Sequence, residues 1–98
     1  MILKVGWMRV KIKYTKELIV DGARVYGTFD SKRYLIEIDP TAPKELRRVT
    51  LIHEIVHCIL FVFGRVEDCN NENLVDCLAN ALYTVQKENG RSLYGNIK

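Results

Sequence analysis

A chain of 98 residues has room for one hydrophobic core, because two independent units would each need roughly 50 residues or more. Hydrophobic residues at 48% and charged residues at 28% are the balance of a folded globular protein and exclude a disordered segment or a membrane-spanning bundle. The net charge of +3 is uneven, with 11 Lys/Arg against 6 Asp/Glu in residues 1–50 and 4 against 6 in residues 51–98, so the basic half is the amino-terminal one.

From Ile2 to Tyr14, β-branched residues and a period-two alternation that begins at Val5 predict a strand. Lys4, Arg9, Lys11, Lys13 and Lys16 alternate there with apolar residues, as on the solvated face of a half-buried strand. That is a weak electrostatic footprint, and it argues against nucleic acid as the partner. Arg24 to Phe29, the turn formers Asp30-Ser31-Lys32, and Arg33 to Ile38 predict a β-hairpin that Asp39-Pro40 closes. Thr41 or a neighbour is expected to cap a helix with Pro43 and Glu45 in its first turn. This helix should run to Phe63, where Gly64 supplies a left-handed stop. Leu46, Val49, Leu51, Ile52, Ile55, Val56, Ile59, Leu60, Phe61 and Val62 leave it little polar surface and predict a central position. A polar connection, Glu67 to Asn70, leads to a second helix from Asn71 to Glu88, with Leu74, Val75, Leu78, Ala81, Leu82 and Val85 at helical spacing. Asn89-Gly90 ends it, and the tail Arg91 to Lys98 is expected to be loosely ordered. The fold expected is α+β in a single domain over residues 1–98: antiparallel amino-terminal strands, a central helix and a second, antiparallel helix.

Cys58, Cys69 and Cys77 are odd in number and lack CxxC spacing, which argues against a disulfide framework or a four-thiolate zinc site. A reducing compartment fits them. The amino terminus alternates apolar and basic residues where a secretory segment would be uninterrupted. The longest apolar run, Ile55 to Phe63, contains His57 and is about half the length that spans a bilayer. A cytoplasmic location without membrane association is expected.

The central helix carries His53-Glu54-Ile55-Val56-His57, an HExxH segment. On a helix the two histidines lie one turn apart, so both imidazoles can bind one tetrahedral ion, with zinc the ion this ligand spacing suits. Glu54 projects about 100° from His53, within reach of a water on the metal. Ordinary core histidines and an exposed glutamate would be the reading of each residue alone. Together they use the only histidines of the chain on an otherwise apolar helix, and burying an unpartnered Glu54 there would be costly. A third ligand must come from elsewhere. Glu72 is the best candidate, placed near the start of the second helix where an antiparallel return brings it opposite the histidines. Asp76, one turn later, is the next candidate, or else accepts the free N–H of a ligating histidine and fixes its tautomer. Cys58, Cys69 or Cys77 are rival ligands, although free cysteines are more often small buried hydrophobes.

HEIVH followed by NENLVD resembles the gluzincin pattern HExxH…NExxxD, in which the glutamate is the third zinc ligand and the aspartate supports a ligand. The short chain, the hairpin before the helix, and the run from Tyr26 through Thr50-Leu51-Ile52-His53-Glu54 are similar to small phage-borne relatives of the ImmA/IrrE metallopeptidases. The resemblance covers most of residues 24 to 88 and implies a minimal zincin fold binding one zinc ion through His53, His57 and Glu72. Larger gluzincins have a further histidine to stabilise the oxyanion; here Tyr26, Tyr34, Tyr83 or an arginine would have to serve.

The expected reaction is hydrolysis of a peptide or protein substrate, with Glu54 as general base. An edge strand, expected at Arg33 to Ile38, offers backbone hydrogen bonds to an extended peptide. Specificity would come from that edge, from the loop Gly64 to Asn70 or from a protein partner. The alternatives are a zinc-stabilised regulatory or protein-binding module with weak or no turnover and, last, a nucleic-acid-binding protein.

Overall fold

The first predicted strand is two strands. In the computed structural model, which describes residues 1–90, β1 (Ile2–Val5) and β2 (Met8–Tyr14) pair antiparallel with Val5 opposite Met8, leaving Gly6-Trp7 as the turn. The alternation changes phase there, because Leu3 and Val5 face the core before the turn and Met8, Val10 and Ile12 after it. A continuous strand cannot do that. The tail 91–98, expected to be loosely ordered, lies outside the described residues.

The predicted hairpin is shorter than expected. Ala23–Arg24 (β4) pairs instead with Ile19–Val20 (β3) in a separate ribbon, and the hairpin proper joins β5 (Gly27–Asp30) to β6 (Leu35–Ile38). Its turn is held by Asp30, whose Oδ1 accepts from the backbone N–H of Lys32 at 2.9 Å and of Arg33 at 3.1 Å. β6 also pairs parallel with β2, giving the order β1-β2-β6-β5. Leu35–Ile38 is therefore an interior strand, which corrects its expected place at an edge. Its near-continuous apolar sequence, with Leu35, Ile36 and Ile38 buried, is what a strand covered on both sides requires. The free edge on this side of the sheet is β5.

Helix α1 runs from Lys44 to Val62. Pro43 is its cap residue and no side chain caps it. Thr41 does not serve because its hydroxyl donates to Asp39 Oδ1 at 2.7 Å instead. At the other end Gly64, with φ +80°, donates to Phe61 O at 3.2 Å and Arg65 donates to Leu60 O at 2.7 Å. This double bond pattern is the Schellman stop expected of Gly64. A short helix, α2 (Val66–Cys69), overlaps the expected polar connection and begins one residue before it, and α3 follows from Glu72 to Asn89. The Asn71 side chain caps α3, accepting from Leu74 N–H at 3.1 Å.

At about 100° per residue, α1 divides into faces. Leu51, Ile55, Cys58 and Val62 meet the sheet's inner residues Val10, Ile12, Ile36 and Ile38. Ile52, Val56 and Leu60 meet Val75 and Ala79 of α3. His53 and His57 fall beside the α3 face, and Glu54 falls between the histidines and the sheet. The fold is α+β, and no helix among the described residues is long and apolar enough to cross a membrane.

Candidate metal centre

One turn apart on α1, the rings of His53 and His57 have centroids 4.9 Å apart and Nε2 atoms 3.2 Å apart. Glu72, in the first turn of α3, places Oε2 3.1 Å from His53 Nε2 and Oε1 3.0 Å from His57 Nε2. The second nitrogen of each ring is also engaged. His53 Nδ1 donates to Asp76 Oδ1 at 2.9 Å, and His57 Nδ1 donates to the Cys69 carbonyl at 2.6 Å. A carbonyl or carboxylate only accepts, so each Nδ1 carries a proton, and in the neutral form of each ring that leaves the Nε2 lone pair on the side of Glu72. Acceptors this close repel one another, and a cation between them removes the repulsion. The spacing also fits, since a tetrahedral ion with bonds of about 2.0–2.1 Å holds its ligand atoms about 3.3–3.4 Å apart. Among the described residues, His53, His57 and Glu72 form the group whose chemistry and separation suit a metal ion.

Glu54 is buried, 7% exposed, and makes no hydrogen bond or ion pair with the described residues. Burial, and then the charge of Glu72, push its carboxyl up to about 8. β5 lies directly over it. A Cβ on Gly27 would stand 3.2 Å from Glu54 Cγ and 2.5 Å from Thr50 Cγ2, so only glycine lets the edge strand come this close to α1.

The side chains of His53, Glu54, His57 and Glu72 line a cleft of about 670 Å³ bounded by β5, α1 and α2. Phe29, Phe61 and Val66 give it an apolar wall, with the two phenyl rings edge to face at 6.1 Å. Its neutral polar lining comes from Thr28, Ser31 and Asn70.

The proposed oxyanion groups lie elsewhere. Tyr26 stacks under Arg24, Tyr34 meets Trp7, and the Tyr83 hydroxyl donates to Glu45 at 3.3 Å; none of these tyrosines, and no arginine, lines the cleft. The cysteines also stay outside the ligand set. Cys58 is buried against Met8, Cys77 is exposed, and Cys69 Sγ contacts the Nδ1 side of His57 at 3.8 Å. Burial raises the Cys69 thiol, with Glu72 and Glu54 adding to the effect. What Cys69 contributes is its backbone carbonyl, which sequence reasoning could not find because every residue has one. No family model, curated protein or solved structure matches this chain.

Proposed function

We propose that the chain is a zinc-dependent metallopeptidase of the kind its ImmA/IrrE-like motifs imply, with His53, His57 and Glu72 as ligands and Glu54 as general base. The observation that carries this reading is the meeting of two imidazole Nε2 atoms and a carboxylate beside a buried, uncommitted glutamate. Imidazoles with one carboxylate suit zinc, whereas magnesium and calcium prefer all-oxygen sets. Three protein ligands leave a fourth position open, as in catalytic zinc sites.

Bound zinc supplies Lewis acidity, polarising a substrate carbonyl and lowering the pKa of water toward ~7. Glu54 takes the proton of the attacking water and passes it to the departing amine. Asp76 and the Cys69 carbonyl hold the histidine rings in the tautomer that presents Nε2. An extended peptide pairs with the free side of β5, whose Gly27 stands over Glu54, and an apolar side chain fits against Phe29, Phe61 and Val66. A second reading, a zinc-stabilised binding module without turnover, draws on the ligands coming from both α1 and α3, which lets the metal tie the helices together.

Metal analysis and peptide cleavage on the wild type, Glu54→Gln and Glu72→Gln separate the two readings. The peptidase binds one zinc per chain and cleaves; Glu54→Gln keeps the zinc and loses at least about a hundredfold in rate, and Glu72→Gln loses metal affinity. Zinc binding with no cleavage by the wild type supports the module. Absence of zinc binding by the wild type sinks both.

A further inference from the structure

The cleft that holds the metal ligands is apolar at both ends. Gly27 stands over Glu54 near its middle. Phe29, two residues on, meets Phe61, and these two with Val66 make one end apolar. Val25, two residues before Gly27, lines the cleft on the other side together with Val20 of β3. Val25 and Phe29 thus flank the place where Glu54 and the three candidate ligands meet. At about 3.3 Å per extended residue they stand no more than about 13 Å apart, the span of about four residues of an extended peptide.

The ribbon that carries Val20 is held at its base and leaves the rest free to meet a ligand. β3 and β4 pair with each other and with no strand of the main sheet. Asp21 and Gly22 turn the ribbon with φ of +52° and +80°, the paired positive values of the tightest hairpin turn. Leu18 is buried at the base, where Val25 N–H donates to Leu18 O at 3.0 Å and Asp39 accepts from Arg24 at 3.1 Å and from Glu17 N–H at 3.3 Å. Val20 is paired with Ala23, so Val20, Ala23 and Val25 share one face of the ribbon, and the two valines turn that face into the cleft. Val20 is nonetheless 42% exposed and belongs to neither hydrophobic cluster. Single exposed apolar side chains are ordinary on a surface, but these two stand together inside the cleft that holds the metal ligands.

We propose that the β3–β4 ribbon forms a second substrate subsite, in which Val20 and Val25 take an apolar side chain on the opposite side of the cleaved bond from Phe29, Phe61 and Val66. The inference rests on the peptidase reading and narrows its substrate class. The substrate is an extended segment with two apolar side chains, about four residues apart, that bracket the bond to be cut.

The test uses the zinc-loaded full chain and alanine-serine decapeptides in which one leucine is fixed and a second is moved one position at a time. The peptide cleaved best should carry a leucine on each side of the cut and should exceed its single-leucine counterparts at least about tenfold in kcat/KM, as burial of one branched side chain allows. In Val20→Ser/Val25→Ser the preference for the ribbon-side leucine should shrink at least about fivefold, while the preference on the other side, the zinc content and the Tm are kept. Val20→Ser alone, at an exposed position, should give a smaller loss in the same direction and stands in if the pair fails to fold. The same peptides titrated into zinc-loaded Glu54→Gln read binding without turnover. Cleavage with no preference for a ribbon-side leucine, or with a preference that the valine variants leave intact, overturns the subsite and leaves the peptidase reading standing. Binding that needs both the ribbon-side leucine and Val20, with no cleavage by the wild type, supports the subsite and sinks the peptidase reading. Neither cleavage nor binding overturns both.

Discussion

Two carboxylates on this small scaffold do opposite work because their surroundings differ. Asp76 is exposed and sits against His53 Nδ1. By orienting that ring it should tighten zinc binding, so Asp76→Ala is expected to weaken zinc affinity about 10–100-fold in a chelator competition, while Glu54→Gln leaves affinity unchanged. Asp39 is fully buried and accepts from the Thr41 hydroxyl and N–H, from Arg24 and from Glu17 N–H. The bonds from Thr41, chiefly, lower its carboxyl from the ordinary 3.8 to about 2. A carboxyl depressed on folding stabilises the protein fully above its unfolded value and loses that contribution as the pH falls through the folded one. Wild-type stability should therefore fall as the pH drops from about 4 toward 2. In Asp39→Asn, denaturant melts should show lower stability at neutral pH and a flatter slope across that acid window. An equal slope in both proteins would remove Asp39 as the cause.

At the scale of elements, the candidate ligands His53 and His57 were legible because helical spacing is local. His53, Glu54 and His57 need only the 3.6-residue turn to place two rings on one face and the glutamate about 100° away. Asp76, one turn after Glu72, follows from the same rule. Strand partnership is not local, and there the reading failed. Nothing in Leu35-Ile36-Glu37-Ile38 says that β2 will add in parallel on its far side, which moves the exposed edge to β5. The closeness of that edge to α1 depends on Gly27. Gly27→Ala forces a methyl to within 2.5 Å of Thr50 Cγ2. It should destabilise the fold by about 1–3 kcal/mol through overpacking and, under the peptidase reading, should raise KM more than it changes zinc affinity. A variant as stable as wild type would show that β5 can lift from the helix freely.

Across the whole molecule, the centre joins the first turn of α3 to the middle of α1, while a separate ion pair, Glu45 with Lys87, joins the opposite ends of the same two helices. A ligand that binds only the folded chain adds stability by mass action. Zinc at about a thousand times its dissociation constant should add about 4 kcal/mol, or about 15–30 °C in Tm for a chain this short. Thermal melts with and without a chelator measure this directly, and His57→Ala should melt alike in both conditions.

By itself, the sequence determined the α+β order of elements, the helical HExxH pair, the stop at Gly64 and the candidacy of Glu72 and Asp76, because periodicity, capping and one-turn spacing act over a few residues. The tertiary structure decided what depends on distant chain segments meeting: the interior place of β6, the edge at β5, and the carbonyl of Cys69 on His57. Those outcomes depend on which surfaces the chain buries together, and burial is a property of the assembled core.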